Sequence, residues 1–561
     1  MTKINLVALG GVRENGKNMY AVEVDDQIFV CDFGLKYPDN ELLGIDVVIP
    51  DFSYLTENAD RIAGIFLSHG HADAVGALPY FLVDHPVPVF GSELTIAMAK
   101  VFMQHDSKAK KFKDFHVIDE KSVIDFGDVS VSFFKTTHSI PGSLGIDIET
   151  SEGQIVYTGD FKFDPSATPM YQTDWARLAQ IGNKKVLALL SDSANAESPN
   201  PNANEHEIYD HIKETFEYQD GRIIVAGVAS NIQRIQQVIN AAASLGRRVV
   251  LTGRDVEKVV KTAIRMGYIK LPDDDILAKT KELKGLAPEK TVILETGRMG
   301  EPMKSLQRMA TSRHRLIHIH EGDLVFITTT TIAHAMETMA ARTKDMIYRA
   351  GGDVKVLGDD IHSSGHAYKN DLQLMIDLLK PEYLVPVQGE YRLLAAHAEI
   401  AHEAGIPLAN IFIVGMGDIL RYEKGQMNAS GHVNAGNTMI DGIGVGDIGN
   451  IVLRDRKMLA EDGIFIAVVT IDRKKKRVVS KPKVTSRGFV YLKTSRDLLA
   501  ESGTLVTETV QKNLDNKEFD WTHLKQDVRD KLSRFLFEQT KRRPVILPVI
   551  MEINQNSAKR Q

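Results

Sequence analysis

The sequence has 561 residues, of which 43% are hydrophobic and 25% charged, with a formal net charge of -6. That length exceeds a single hydrophobic core, so roughly two to four domains are expected, and the composition is globular rather than disordered or fibrous. The charge excludes a surface coated uniformly in positive potential, but it leaves room for a local basic groove.

No run of about 18 apolar residues occurs, so no transmembrane helix is expected. The first residues lack a signal-peptide pattern and enter a strand-like run. The single cysteine, Cys31, rules out an internal disulfide and suits a reducing cytoplasm, the expected compartment.

In chain order, residues 4–9, 19–24 and 27–31 are short apolar or alternating runs that predict antiparallel strands joined by turns. Asp32-Phe33-Gly34 ends the third, where a carboxylate can face a site at a sheet edge; a simple turn Asp is the plainer alternative. The segment Ile65-Phe66-Leu67-Ser68-His69-Gly70-His71-Ala72-Asp73-Ala74 reads as a buried strand running into a turn. At alternate positions, His69, His71 and Asp73 can converge on one point that suits a zinc-like ion. A polar loop that happens to hold two histidines is the bland alternative. Residues 78–83 and 94–104 predict helices, 87–89 a short strand, and 123–134 alternating strand runs. His138 follows on a turn, and 155–161 is a strand ending in Asp160. Each alone is an ordinary turn residue; the ordered set, with Gly159 permitting close approach, points to a site.

Residues 187–190 lead as a strand into Ser191-Asp192-Ser193-Ala194-Asn195. From about Glu205 helices alternate with parallel-type strands, and 222–228, 232–243 and 248–252 form a βαβ unit. Ala229-Ser230-Asn231 lies between its strand and helix and could hold a phosphate, although N-capping alone would explain Ser230 and Asn231. Strands at 291–295 and 324–327 precede Gly297-Arg298-Met299-Gly300 and a Thr-rich turn from Thr328. Ile361-His362-Ser363-Ser364-Gly365-His366 gathers hydroxyls, amides and imidazoles in one turn. A strand then runs from Tyr383 towards Gln388-Gly389-Glu390-Tyr391. Residues 428–446, rich in Gly and Asn, read as a linker. Beyond it, strands at 464–470, 477–479, 489–492 and 545–551 with helices at 495–513 and 521–539 make a small α+β domain.

The segment His69-Gly70-His71-Ala72-Asp73-Ala74 resembles the His-x-His-x-Asp-His signature of metallo-β-lactamase-fold hydrolases, with Ala74 in place of the last His. Later stretches, above all 361–366, narrow the resemblance to the ribonuclease J family of bacterial RNA-degrading enzymes, and it covers essentially the whole chain. Ala74 and Gln388 make the chain similar to the degenerate second paralogue of bacteria that carry two. The resemblance implies an α/β architecture: a metallo-β-lactamase αββα sandwich from 1–204 and 351–427, an inserted β-CASP domain at 205–350, a linker at 428–450, and a C-terminal α+β assembly domain at 451–561. In active members it implies two metals. His69, His71 and His138 would hold the first; Asp73 and two histidines, here Ala74 and Gln388, the second; Asp160 would bridge them, with Asp32 supporting the ligands. Asp73 and His366 would be catalytic. Ser193, Ser230, Asn231, His362, Ser363, Ser364, Gly365 and His366 would bind RNA phosphates. The family's Gly-Ser-Gln-Gly loop is altered at Arg298 and Met299, and its Ser-rich turn at 328–334.

The first site keeps enough donors for four-coordinate zinc; the second loses both imidazoles, and a Gln amide oxygen replaces neutral imidazole poorly. One zinc site and a degraded second are expected, which manganese or magnesium could partly refill. Two functions follow. One is a metal-dependent 5′–3′ exonuclease and endonuclease of RNA processing and mRNA decay, with weak intrinsic activity. The other is an inactive RNA-binding subunit that assembles with, and stabilises, an active paralogue. The resemblance implies homo- and hetero-oligomers. A basic cluster at Lys541-Arg542-Arg543 with Arg454, Arg456 and Arg487 could touch RNA or be a solvated face. The inserted unit and the C-terminal domain argue against a small-molecule thioesterase or lactonase.

Overall fold

The apolar N-terminal runs pair as successive hairpins, Ile4–Gly10 with Met19–Val24 and Met19–Val24 with Gln27–Cys31. In this computed structural model, residues 2–553 are described except 39–41, 105, 202, 297–301, 330–333, 362–363, 443, 447–448, 491–494 and 517. Arg298, Met299, most of the Thr-rich turn, His362 and Ser363 therefore lie outside the described residues.

The hairpins belong to an eight-stranded sheet. It runs from Gln426–His432 and Asp418–Glu423 through the hairpins to Ile62–Phe66, Val89–Gly91 and Phe115–Val117. A second sheet has six strands, ordered Tyr383–Val387, Val186–Asp192, Gly153–Tyr157, Leu144–Thr150, Ser130–Lys135 and Val123–Asp125. Leu6, Val22, Phe29 and Phe66 of the first share one core with Val131, Ile146, Ile155, Leu190 and Val385 of the second. Burial from both sides explains why Ile4–Gly10 and Val186–Asp192 are buried at every position instead of alternating. Helices Trp175–Gly182 and Lys369–Leu379 cover the outer face of the second sheet through Leu178, Leu372 and Met375. Gly153–Tyr157, Val186–Asp192 and Tyr383–Val387 run parallel, so their C-terminal ends, where Asp160, Asp192 and Gln388 stand, lie along one edge.

Between these strands the chain builds a separate, wholly parallel six-stranded sheet. Its order is Leu277–Ala278, Arg248–Thr252, Thr291–Glu295, Ile223–Ala226, Leu324–Ile327 and Asp353–Val356. Thr291–Glu295 thus intervenes between the two strands of the expected βαβ unit. Asp353–Val356 still pairs in this sheet, which therefore reaches past residue 350, where the sequence expectation ends the domain. The stretch read as a linker is not structureless: Gln426–His432 pairs with Asp418–Glu423, and Asn437–Asp441 is a strand. Gly and Asn obscured a register that the neighbouring strand supplies.

The chain divides into two compact units, Met1–Asp39 with Val47–Thr438 and Asn40–Asp46 with Met439–Gln561. In the second, Ile464–Asp472 pairs antiparallel with Lys483–Arg487 and parallel with Val545–Glu552. Helices Arg496–Asp515 and Trp521–Thr540 pack on that sheet through Val506, Val510, Leu524 and Leu532. The third strand falls at Lys483–Arg487 rather than at 489–492, where Phe489 and Val490 form a bend and the rest is outside the described residues. No helix among the described residues is long and apolar enough to cross a membrane.

Lys162 of the sandwich is 2% exposed, and its Nζ lies 2.7 Å from Oε1 of Glu205. Glu205 opens the first helix of the inserted domain, Glu205–Glu217, whose capping box pairs Asn204 with Glu207. Burial opposes the charge of Glu205, but Lys162 and Arg234 outweigh it and hold its carboxyl below the usual range. Removing one partner of such a pair strands the other. Glu205→Ala is expected to destabilise the first unit by about 3 kcal/mol, the low end for a broken buried bridge, because Lys162 keeps Asp164 at 3.9 Å. Urea unfolding followed by fluorescence measures it.

Candidate metal centre

The site is assembled from turns that end strands. Ile62–Phe66 delivers His69 and His71, and the helix Ala72–Val75 carries Asp73 in its first turn. His138 follows Ser130–Lys135, and Asp160 follows Gly153–Tyr157. Residues 67 apart in the chain meet here: His138 Nε2 is 3.1 Å from His71 Nδ1 and 3.9 Å from Asp160 Oδ2, and His69 Nε2 is 3.5 Å from the same carboxylate oxygen. Three groupings that could hold an ion result among the described residues: His69 with His71 and His138, His69 with Asp73 and Asp160, and Asp160 with Asp192 and His366.

Each imidazole is held by its outer nitrogen. Ser68 Oγ gives its proton to Asp32 Oδ2 at 2.7 Å and therefore accepts from His69 Nδ1 at 2.9 Å. His138 Nδ1 donates to the Gly365 carbonyl at 2.8 Å, and His71 Nε2 has Ser139 Oγ at 3.3 Å. The bonds to Ser68 and Gly365 assign the tautomers that leave His69 Nε2 and His138 Nε2 as lone pairs facing inward, and the Ser139 contact leaves His71 Nδ1 as the inward nitrogen. Asp32 also accepts the Ser68 amide at 2.7 Å and the Tyr157 hydroxyl at 2.6 Å. Burial lifts its pKa to about 6 despite His69 and these donors. Asp32 thus acts on the centre through Ser68.

Four ligands at about 2.0–2.1 Å from a tetrahedral ion stand about 3.3 Å apart. The spacings of 3.1, 3.5 and 3.9 Å bracket that value. His69 Nε2 and Asp160 Oδ1 are buried without a hydrogen-bond partner among the described residues, a costly arrangement unless something else satisfies them. Electrostatics agree. Burial opposes charge on His69, yet Asp160 and Asp73 outweigh it and raise it to about 9. Burial and His69 push His71 down to about 3, and burial with His71 and His69 pushes His138 well down. The cluster wants positive charge that three crowded imidazoles cannot all carry. The residues fit one metal ion.

The two positions where the resemblance expects further imidazoles, Ala74 and Gln388, carry other groups. Ala74 offers only a buried methyl. Gln388 Nε2 donates to Asp73 Oδ2 at 3.1 Å, while its Oε1 accepts from the Gly16 amide at 3.3 Å. Both ends of the amide are engaged, and a hydrogen bond takes up the carboxylate oxygen that a second ion would need.

The cluster floors a cleft of about 220 Å³ between the sandwich and the inserted domain. Asn231, Ser364, Gly365 and His366 line it. Asn231 also caps the helix Ile232–Ser244 by accepting the Arg234 amide at 2.9 Å, so capping and cleft lining coexist. Ser230 approaches His71 through its backbone and does not line the cleft. Ser193 is a correction: it is 0% exposed and pairs with His397 Nδ1 at 2.9 Å, so it faces the core. It stands just past the strand Val186–Asp192, where the side chain meets His397. Gly365 is needed where it is, because a Cβ there would lie 2.9 Å from His138 Cε1.

No role for Asp192 is legible in its motif, yet its Oδ2 is 2.7 Å from His366 Nδ1. Burial opposes charge on His366, but Asp192 and Asp160 outweigh it and raise it to about 10. Its only sequence signal was a carboxylate at the end of a buried strand, as for Asp160. Lys162, Glu205 and Arg234 also reach the cleft, from segments with no motif.

Comparisons with known proteins follow this geometry. The metallo-beta-lactamase superfamily matches residues 12–190, the ribonuclease J beta-CASP domain 220–346, the Zn-dependent metallo-hydrolase RNA specificity domain 353–413, and the ribonuclease J C-terminal domain 451–553. Ribonuclease J 2 of Streptococcus pyogenes serotype M3 is 56% identical over 99% of this chain and 100% of its own. Ribonuclease J 2 of Staphylococcus aureus strain NCTC 8325 is 47% identical over 98% of each. A solved protein of unknown function from Enterococcus faecalis V583 shares the fold, with a TM-score of 0.54 at 16% identity, covering 75% of this chain and 100% of that one. Fold and site define a metallo-β-lactamase-type hydrolase with an inserted β-CASP domain and a ribonuclease C-terminal domain. The chain belongs to the ribonuclease J family, of the J 2 type.

Removing the Ser68 hydroxyl frees the His69 ring without touching a ligand. Ser68→Ala is expected to weaken zinc binding about 10–100-fold, read by competition with a chromophoric chelator.

Proposed function

We infer that this chain is a metal-dependent ribonuclease working from the RNA 5′ end, and internally, in RNA processing and mRNA decay, with weak intrinsic activity. The observation that carries the weak activity is the Gln388 amide donating to Asp73 at 3.1 Å, where an active relative would hold a second ion. His69, His71, His138 and Asp160 would hold one zinc; manganese or magnesium could partly refill the degraded second site on its carboxylates. A bound ion supplies Lewis-acid charge beside the attacked phosphate.

The chain's own groups do the rest. Asp160 and Asp73 place negative charge where a water must be oriented and deprotonated. His366, tied to Asp192, lines the cleft where the leaving oxygen departs and can hold a proton for it. Ser364, Gly365 and Asn231, with His362 and Ser363 next to them in sequence, would hold RNA phosphates; Ser230 could add backbone contacts. Losing one ion's charge beside the phosphate costs several kcal/mol of transition-state stabilisation, or roughly a thousandfold in rate. That cost favours a second reading: a partner subunit, in the cytoplasm, that binds RNA and assembles with an active ribonuclease J paralogue, beside self-association into homo-oligomers.

Exonuclease activity on 5′-monophosphorylated RNA with manganese, compared with His71→Ala/Asp73→Ala, separates the two. A clear rate that the double variant loses supports the enzyme. Equal rates with RNA binding retained support the partner subunit. Metal counting by mass spectrometry should give one ion per chain, and Ala74→His/Gln388→His should raise the count towards two.

A further inference from the structure

Asp73 is an open member of the metal cluster: its side chain is 26% exposed, against 0–3% for His69, His138 and Asp160. The inserted domain closes one flank of the cleft. Beside the cleft-lining Asp73 lies Gln388, which bonds its carboxylate and accepts from the Gly16 amide. An RNA whose 5′ end lay against Asn231 and Ser364 would pass Asp73 on its way out of the cleft.

Arg13 stands three residues before Gly16, and Tyr391 three residues after Gln388. A three-residue segment spans at most about 11 Å, so Tyr391 lies within that reach of the residue that bonds Asp73. Arg13 and Tyr391 are brought together by the bridge between Glu14 and Gly389. The Arg13 guanidinium sits 5.5 Å over the Tyr391 ring, yet the ring stays 56% exposed. Arg13 is exposed as well and holds a left-handed backbone with φ 58°, which a non-glycine residue adopts at a cost. No carboxylate among the described residues pairs with it. The neighbouring Arg392, in contrast, is neutralised by Glu197 and Glu390. An unpaired guanidinium steadied on an exposed aromatic face is the combination that single-stranded nucleic acids use, the ring for a base and the cation for a phosphate.

We propose that Tyr391 and Arg13 form a stacking platform for the RNA nucleotide just downstream of the scissile phosphate. Tyr391 takes the base and Arg13 its phosphate. This rests on the reading of the cleft as an RNA site, and it needs no turnover. It gives the outgoing strand a sequence-tolerant grip, because every base has a π-face to stack.

The test uses the full zinc-loaded chain and 5′-monophosphorylated RNA with hydrolysis-resistant phosphorothioate linkages, carrying 2-aminopurine at successive positions. Fluorescence should be quenched most at the second or third nucleotide. Tyr391→Ala should abolish that quench and weaken binding about tenfold, and Tyr391→Trp should keep both. Arg13→Ala should weaken binding and flatten the salt dependence by about 0.7 of a log unit per decade of salt. Unchanged melting temperatures would show that the variants fold. If the wild-type chain binds RNA but Tyr391→Ala keeps the same quench and affinity within twofold, the platform is wrong and the RNA reading stands. If the wild-type chain does not bind RNA, both fall.

Discussion

Everything at the metal centre depends on the outer nitrogens of three imidazoles being occupied. A histidine can turn either face of its ring to an ion, and only a fixed partner on one nitrogen commits the other. For His69 that partner is Ser68, which can accept only because its own proton is spent on Asp32. Asp32 is in turn held by the Ser68 amide and by Tyr157, so one buried carboxylate joins three strands of two different sheets. The cost of burying it explains its raised pKa of about 6, and the donors around it make that cost tolerable.

The same logic accounts for the altered half of the centre. Two carboxylates facing each other across a dry site repel unless a cation or a donor stands between them and solvent. In an active relative a second ion would do this. Here the Gln388 amide hydrogen-bonds Asp73 and passes its other end to Gly16, which stabilises the carboxylate with a dipole instead of a charge. A dipole preserves the fold of the strand ends but supplies far less stabilisation to charge that develops on a phosphate. Gln388 itself adopts φ 55°, a conformation that a non-glycine residue holds only when its surroundings dictate it.

The cleft needs both layers of the first unit. The segment that returns to the sandwich after the inserted domain supplies the outer acceptor of His138, the carbonyl of Gly365. The Lys162–Glu205 pair and its neighbour Arg234 tie the inserted domain to the strand that carries Asp160. Ion binding, RNA holding and the seating of the inserted domain are consequently one arrangement and not three.

By itself, the sequence determined most of the strands and helices and marked His69, His71, Asp73, His138 and Asp160, which the structure gathers in one cluster. Apolar runs mark strands buried on both faces, as at 4–10 and 324–327, and the spacing of His69, His71 and Asp73 suits convergence on one point. It also displayed Ala74 and Gln388 where the resemblance expects imidazoles, because a residue's identity is visible as a letter. What it could not determine depended on which strand ends become neighbours. Asp192 joins His366, and Ser193 turns away to His397, through the parallel pairing of strands far apart in the chain. The strands within 426–441 escaped notice because Gly and Asn carry no period, and pairing partners, not propensity, hold them extended. Only the tertiary structure decided that Gln388 would be engaged at both ends: a side-chain amide acquires a role from the two groups it meets, and neither Gly16 nor Asp73 is near it in sequence.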